Sequence, residues 1–330
     1  MRRWAIFAQV AALVLVLSAS ARAQCDHSRE GERLGPRHSC VVCDALKPRW
    51  SARGSVIFMD RVTDGSLVLM QNTANLSEQL NANDFNFDWE IGFDLSLMRK
   101  TWDDHGLEIR YLDFGQQEAS ANVAVSGGSV RIDSALPVFL PNVQSIDARY
   151  RSETYSLEAN YHYSFDDTLT YLAGFRYVSL DDDLNAILDA NPQTFRYDAL
   201  TRNDLYGLQV GVIGAPARPI LGCLLGSAVA KAGVFGNDAS HRGWINTGVA
   251  NLAVKDSADS AAFVLELGLS AELRISERLS ILGGYSALWL ESVAIVTDQI
   301  ASSDFFNGVG SDDEGDAVFH GANLAIQLRL

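Results

Sequence analysis

The sequence is short of basic residues and has few features of a helical membrane protein. Its 26 Lys and Arg residues are outnumbered by 41 Asp and Glu residues, so the formal net charge is −15. Sequence-independent nucleic-acid binding needs an excess of positive charge, so this class of protein is excluded. The mean hydropathy of +0.02 is too low for a bundle of transmembrane helices. It does not exclude a membrane β-barrel, whose alternating strands average to near-neutral hydropathy.

Motifs that carry chemistry are also scarce. The sequence contains no Gly-x-Ser-x-Gly, no His-Glu-x-x-His and no phosphate-binding loop. No His follows Cys43, which excludes c-type haem attachment at Cys40-Val41-Val42-Cys43. The acidic stretches 181–183 and 311–316 lack EF-hand spacing. We therefore predict that the protein is not an enzyme and holds no cofactor.

The first residues have the features of a secretory signal peptide. Arg2 and Arg3 supply positive charge, residues 4–17 form an almost wholly apolar run, and residues 21–23 give an A-x-A cleavage site. The alternative of an N-terminal membrane anchor is disfavoured, because the run is shorter than the ~20 residues that a spanning helix needs. We predict that residues 1–23 are a cleaved signal peptide and that the protein is exported.

Residues 24–49 lack any apolar periodicity and contain most of the cysteines. We predict a periplasmic extension in which Cys40 and Cys43 form a local disulfide, since thiols tend to pair in an oxidising compartment. Two alternatives stay open: an intermolecular disulfide, and a metal held by Cys25, His38, Cys40 and Cys43. Cys223 is expected to be a packing residue.

The remaining sequence alternates between apolar and polar residues. From Phe87 to Leu97 the apolar side chains fall on one parity, and Asp88, Glu90 and Asp94 fall on the other. A helix would place these acids among the apolar residues, so the pattern indicates a strand. Similar alternation covers residues 155–165, 261–275 and 324–330, and weaker alternation covers 50–60, 105–116, 168–180, 203–214, 222–236 and 278–295.

These runs and their connections are typical of a membrane barrel. A tilted membrane strand needs ~9–11 residues, whereas strands of soluble sandwiches average about five or six. Short connections fall near 101–104, 166–167, 215–219 and 276–277, and long ones near 61–85, 117–151, 181–202, 237–260 and 296–316. Outer-membrane barrels have short periplasmic turns and long external loops.

We therefore predict an all-β fold over residues 50–330, in preference to a soluble β-sandwich. It is a single closed antiparallel transmembrane β-barrel of about ten strands, within a range of about 8 to 12, in the outer membrane. Residues 123–132, whose valines alternate around Gly127-Gly128, can add a small hairpin inside the second long loop.

Several stretches carry a resemblance to a known family. They are residues 171–177 (YLAGFRY) with the acidic 181–183, 201–207 (TRNDLYG), 231–237 (KAGVFGN), 279–290 and 318–322 (VFHGA). In order and spacing they resemble the planctomycete family of outer-membrane proteins named beta-barrel porin-7. The resemblance implies a single outer-membrane barrel and no catalytic residues. One departure is the ending Arg329-Leu330, since many bacterial barrels end in an aromatic residue that the insertion machinery reads.

The polar parity of each strand predicts which charges face the lumen. A charge facing lipid at the midplane costs ~2–4 kcal/mol for Lys or Arg, which favours the inward assignment. Ten strands enclose little more space than the eight that side chains already fill. We predict a lumen largely filled by paired charges, with a narrow selective pore as the alternative. The acids are Asp88, Glu90, Asp94, Glu108, Glu158, Glu266 and Glu272, and the bases are Arg110, Arg176, Lys231, Arg274 and Arg329.

Function is predicted only by class. The first expectation is a structural or narrow-pore porin-like role; the second is surface interaction or adhesion through the long loops. A rim hydrolase is least favoured, because Asp238 and His241 are the only nearby acid–His pair expected on a loop. Expected partners are outer-membrane lipid, the barrel-insertion machinery, and a loop-bound partner or divalent cations at the acidic loops 181–183 and 311–316.

Overall fold

A computed structural model of the chain describes residues 49–62, 67–102, 104–125, 128–216, 224–310 and 314–330. The predicted signal peptide, the Cys40–Cys43 disulfide with its alternatives, and Cys223 lie outside these residues. Within them, no helix is both long and apolar enough to cross a membrane.

Ten of the described strands form a closed antiparallel barrel, which confirms the predicted fold class. They are β1 (Trp50–Val62), β4 (Glu90–Trp102), β5 (His105–Ala124), β8 (Ser145–Ser164), β9 (Leu169–Ala190), β10 (Gln193–Gly214), β11 (Leu224–Asn246), β12 (Asn251–Arg274), β13 (Leu279–Val293) and β14 (Gly315–Arg329). Four short strands, β2 (Val68–Asn72), β3 (Glu78–Asn81), β6 (Val130–Ile132) and β7 (Val138–Leu140), form a separate sheet.

The barrel closes where its first and last strands pair. The Trp50 amide donates to the Leu330 carbonyl at 3.1 Å, and the Leu330 amide donates to the Trp50 carbonyl at 2.8 Å. At this same end β4 ends and β5 begins, and so do β8 and β9, β10 and β11, and β12 and β13; we call it the inner end. We call the opposite end, where β1 leads to β2 and β5 leads to β6, the outer end.

The inner half of the barrel carries an apolar outside surface. Leu95 on β4 is 51% exposed and Leu208 on β10 is 72% exposed, while Asp94 and Gln209 beside them are buried inside. Successive side chains of a strand point to opposite faces, so alternation places apolar groups outward and polar groups inward. This arrangement is typical of a barrel with a lipid-facing band about 25 Å tall.

Four strands are much longer than a membrane crossing requires. β9 and β10 have 22 residues each, β11 has 23 and β12 has 24. The predicted loops 181–202 and 237–260 are therefore wrong. β9 and β10 meet across Asn191-Pro192, and β11 and β12 are joined by residues 247–250. The predicted loop 117–151 is likewise partly strand, since β5 continues to Ala124 and β8 begins at Ser145.

The polarity of the strands is inverted in the outer half, which is why the loop prediction failed there. On β9, Leu184, Ala186 and Leu188 point inward and are fully buried, whereas Asp181 and Asp183 point outward and are partly exposed. Beyond the lipid band the outside faces water and the inside is packed with protein. Where the lipid-facing half of a strand meets its water-facing half, the apolar residues change from the outward to the inward face, so the simple alternation is interrupted.

The inside of the outer half is filled by a plug, which we define as the sheet β3-β2-β6-β7 together with helix α1 (Val296–Ser302). Plug residues Leu69, Val130 and Ile300 pack in one apolar core with inward barrel residues such as Ile146 and Tyr197. The predicted hairpin over 123–132 is wrong, because β6 pairs with β2 and β7 rather than with β5. One of these partners, β2, lies about 60 positions earlier in the sequence, so local alternation did not identify this pairing.

Candidate functional site in the barrel lumen

Charged side chains from several barrel strands meet in the inner half of the lumen. Arg110 on β5 lies at the centre of one group: its Nε donates to Asp94 Oδ1 at 2.8 Å, and its Nη1 donates to Glu158 Oε1 at 3.0 Å and Glu266 Oε1 at 2.6 Å. These residues are at most 8% exposed. Burial strengthens such contacts but also makes each partner costly to remove.

Two further bases complete this group. Arg176 on β9, fully buried, donates to Glu266 Oε2 at 2.7 Å, and Lys231 on β11 donates to Glu158 Oε2 at 2.8 Å. Arg176 also lies 3.7 Å from Glu158, and Lys231 lies 3.5 Å from Glu266. Each of the two glutamates therefore contacts the same three bases, Arg110, Arg176 and Lys231.

One more acid, and a base that the sequence analysis did not include, extend the group. Glu108 accepts from Asn160 Nδ2 at 3.2 Å and lies 3.0 Å from His162 Nε2. Arg53 on β1 lies 3.4 Å from Asp94. Arg53 has the same parity as the inward residues Ser55 and Ile57 on β1, and this parity could have identified it as a lumen residue. We call the whole set the lumen charge cluster; its four acids and four bases are Arg53, Asp94, Glu108, Arg110, Glu158, Arg176, Lys231 and Glu266.

The other predicted lumen charges lie elsewhere. Glu272 lies at the inner end with Arg274 at 3.3 Å and is also ion-paired with Arg329, which donates to Ser280 at 2.9 Å. Asp88 is exposed before the start of β4, so its placement in the lumen is wrong. Glu90 is partly exposed at the outer end of the same strand. Phe87 turns inward onto Tyr150, and this turn ends the alternation that had placed Asp88 inside.

An apolar layer separates the lumen charge cluster from the plug. Its rings Phe114 and Phe319 stack at 5.1 Å. The layer comprises Ile57, Met59, Leu112, Phe114, Val178, Leu180, Leu205, Phe235, Ala262, Val264, Leu288, Leu290, Val293, Ile295, Ala317 and Phe319, all buried. An ion crossing the lumen would have to be dehydrated here.

A second buried ion pair lies between this layer and the plug. Arg61 Nη2 donates to Asp182 Oδ2 at 3.0 Å, Tyr150 donates to the same carboxylate at 2.7 Å, and the guanidinium lies 5.2 Å from the Tyr150 ring centre. The prediction that residues 181–183 form an external acidic loop is wrong. Burial raises the pKa values of Asp181 and Asp183, although nearby Arg202 and Arg151 respectively lower them.

Polar contacts attach the plug to the barrel wall. Asn203 on β10 accepts from the Ala294 amide at 2.7 Å and donates to the Ala294 carbonyl at 2.8 Å. His241 on β11 lies 3.2 Å from Ser303 Oγ, just beyond α1, and 3.2 Å from the Leu200 carbonyl. Burial lowers the pKa of His241 to about 4. Asp238 is exposed on the opposite face of β11, so the predicted loop pair with His241 is wrong.

A cavity of about 150 Å³ lies beside the lumen charge cluster. Its lining includes Lys231 and Glu266 of the cluster and Ile57 and Phe114 of the apolar layer. It also includes the polar residues Ser227, Ser270, Ser286 and Asn323. Such a volume holds only a few water molecules. Along the barrel axis the lumen therefore contains a charged layer, an apolar layer and a packed plug.

A closed antiparallel barrel with an apolar outer band and a polar interior defines the class of membrane β-barrels. Within that class, the sequence matches the family Putative beta barrel porin-7 over residues 109–304. The chain belongs to this beta barrel porin family, as the resemblance in the sequence indicated. No curated protein matches the sequence.

Solved barrels are similar in fold at low identity. The outer membrane protease OmpT of Escherichia coli has a TM-score of 0.47 and 10% identity, covering 86% of this chain and 98% of that one. The translocator domain of the autotransporter NalP of Neisseria meningitidis has a TM-score of 0.40 and 10% identity, covering 97% and 99%. The toluene transporter TbuX of Ralstonia pickettii has a TM-score of 0.35 and 11% identity, covering 86% and 90%. Similarity at these identities and TM-scores gives no information about the activity of this chain.

Proposed function

We propose that the protein is an outer-membrane barrel that does not conduct, with a structural role in the envelope. The observation that supports this proposal is the stack of three closures in the lumen: the lumen charge cluster, the apolar layer around Phe114 and Phe319, and the plug. Each of them narrows the path along the barrel axis, and a cavity of about 150 Å³ lies beside the lumen charge cluster. General porins use ~16 strands to enclose a water-filled channel.

Single-channel recording in a planar bilayer tests the proposal. The wild-type protein is expected to show no steady current, because ions meet both buried charge pairs and an apolar layer. The Arg110→Ala, Arg176→Ala double variant is also expected to stay silent, since the apolar layer and the plug remain. Large, stable openings of the wild type would overturn the proposal. Current in the double variant alone would assign the closure to the lumen charge cluster and show that the apolar layer and the plug do not block ions.

A second candidate role is surface interaction through the outer end. The long strands support it, because half of their length lies beyond the lipid band, and several apolar side chains are exposed there: Phe139 at 60%, Val249 at 97% and Phe306 at 61%. Cells that display the wild type should adhere to a host or neighbouring surface more than cells that display a Phe139→Ser, Phe306→Ser variant at equal surface level. Equal adhesion would reject this role for these residues.

The proposal contains no catalytic step. The one acid–histidine pair singled out in the sequence, Asp238 and His241, lies on opposite faces of β11, and His241 is used to hold the segment after α1. The buried acids Asp94, Glu158 and Glu266 form ion pairs with Arg110, Arg176 and Lys231. Peptide, lipid and glycoside hydrolysis assays on the purified barrel should give rates at the buffer background.

A further inference from the structure

A small polar cluster interrupts the apolar outside surface near the outer edge of the lipid band. Three adjacent strands each contribute one outward side chain, namely Asp60 on β1, His320 on β14 and Tyr285 on β13; the fourth, Trp89, lies just before β4. Below them on the same face lie Phe58, 41% exposed, and Leu324, 59% exposed. Polar groups at this level have a cost unless they are paired or meet a polar ligand.

The cluster is organised around the His320 ring. The Tyr285 hydroxyl lies 2.7 Å from His320 Nδ1, and the two rings stack with centres 6.0 Å apart. Trp89 approaches the same ring edge-on at 6.0 Å. When the Tyr285 phenol donates to Nδ1, the imidazole proton lies on Nε2, and this N–H is available as a donor.

Asp60 supplies the negative charge. It pairs with His320 directly across the β1–β14 ladder, so their Cβ atoms are about 5 Å apart. Trp89 is 52% exposed, which leaves much of its indole surface open. Exposed Asp88 precedes it in the chain. A carboxylate beside an open aromatic surface is the pairing that binds an ammonium group, through charge and through the ring face.

We propose that Asp60, Trp89, Tyr285 and His320 form a binding site for the headgroup of a lipid that carries a primary amine. The ammonium lies between the Asp60 carboxylate and the Trp89 ring, and its N–H groups donate to Asp60. His320 Nε2–H donates to an oxygen of the same headgroup. The acyl chains lie along Phe58 and Leu324 below. The barrel is thereby held to a particular lipid class on this wall.

Native mass spectrometry of the folded barrel in detergent tests the site. The protein is titrated with dioleoyl-phosphatidylethanolamine and, separately, with dioleoyl-phosphatidylcholine, whose trimethylated nitrogen has no N–H to donate. The wild type is expected to retain phosphatidylethanolamine about five times better, because only its ammonium can donate a hydrogen bond to Asp60, whereas both headgroups can lie against the Trp89 ring. Asp60→Asn should bring the ratio close to one, and Trp89→Leu should lower the retention of both lipids about twofold and leave the ratio near its wild-type value.

A matched control lies at the other end of the barrel, where His105 hydrogen-bonds Tyr161 on the outside surface. His105→Leu should leave the lipid ratio unchanged. Heat-modifiable gel mobility shows whether each variant is folded, and Trp89→Leu serves if Asp60→Asn is not. Equal retention of the two lipids by the wild type, an unchanged ratio in Asp60→Asn, or wild-type retention of both lipids by Trp89→Leu would overturn the site. Stronger retention of dioleoyl-phosphatidylglycerol than of phosphatidylethanolamine would overturn the assignment to an amine.

Discussion

Two glutamates organise the inner half of the lumen. Glu158 and Glu266 come from β8 and β12, which are not neighbours in the barrel, and both contact Arg110, Arg176 and Lys231. They therefore tie opposite walls of the barrel together through charge. Breaking a buried ion pair by removing one partner leaves the other charge uncompensated, which typically costs about 3–5 kcal/mol.

Glu158→Gln should accordingly lower the free energy of unfolding by about 3–5 kcal/mol, because Lys231 and Arg110 each lose a charged acceptor. Urea unfolding in lipid vesicles, followed by gel mobility, measures the loss. Glu153→Gln is the matched control, since Glu153 is exposed on the outside of the same strand. A loss of the same size in both variants would mean that the charge contacts of Glu158 do not stabilise the barrel.

His241 makes the attachment of the plug sensitive to pH. Its pKa is about 4 in the folded protein against an ordinary value of 6.5, because burial disfavours the charged ring. The unfolded or undocked state therefore binds more protons between pH 6.5 and pH 4, and stability is lost as the pH falls through this window. The full shift corresponds to about 3 kcal/mol.

Hydrogen exchange of residues 294–303, measured from pH 7 to pH 4 and corrected for intrinsic rates, checks this prediction. The wild type should lose protection in this segment as the pH falls, whereas His241→Gln, which keeps hydrogen-bonding groups but cannot titrate, should stay level. Parallel pH profiles for the two proteins would show that His241 does not control docking of the segment.

At the scale of the strand, the membrane boundary is visible along a single outward face. On β10 this face carries Leu208 and Tyr206 and then changes to Asp204 and Arg202, which form an ion pair at 2.9 Å. Leu200 follows in the water-facing region and is 49% exposed. On β10, therefore, Leu208 faces lipid and Leu200 faces water, although both are leucines on the same outward face.

Leu208→Arg should impair insertion, because an arginine facing lipid near the midplane costs ~2–4 kcal/mol. Leu200→Arg, on the same strand and face, should insert at nearly the wild-type level, since its side chain faces water. The yield of heat-modifiable protein after refolding into vesicles compares the two. If both variants fail equally, the lipid band extends further along β10 than its outward charges indicate.

The sequence predicted the strands best where lipid and a polar lumen impose opposite polarities on the two faces. It failed for the outer half of β9 to β12, where the inside becomes apolar and the outside polar. The acid run 181–183 shows the reason. Asp181 and Asp183 face water, but Asp182 faces inward because Arg61 and Tyr150, 121 and 32 residues away, bind it. No local pattern contains those partners.

The residues of the candidate site, like the strands, were predicted only in part. Parity alone selected Glu158, Arg176 and Glu266, since charges cannot face lipid cheaply. Arg53 was missed because the alternation of β1 is weak. The plug was missed because its strands have only three to five residues, and because the pairing that joins its two halves spans more than 50 positions of sequence, as Met70 pairs with Ile132.

For the whole molecule, the three closures predict that the two ends of the lumen are isolated from each other. With the native cysteines replaced by serine, Ser270→Cys places a thiol in the cavity of the inner half, and Ser257→Cys places one on the outer wall. In intact cells a membrane-impermeant maleimide should label Ser257→Cys only. Ser270→Cys should react after the outer membrane is permeabilised. Equal labelling in intact cells would reveal a path through the lumen.

The pairing of β1 with β14 sets the order of assembly. Arg61 on β1 lies opposite Phe319 on β14, so the two edges that close the barrel are more than 250 residues apart in the chain. Until β14 is available, both edges expose unpaired amides and carbonyls, and these cannot be left bare in hydrocarbon. The eight pairings among the other nine barrel strands can form before the sheet inserts into lipid. Pairing of β14 with β1 then removes both open edges and closes the barrel. A nascent chain truncated within β14 keeps an open edge, and we expect it to be degraded.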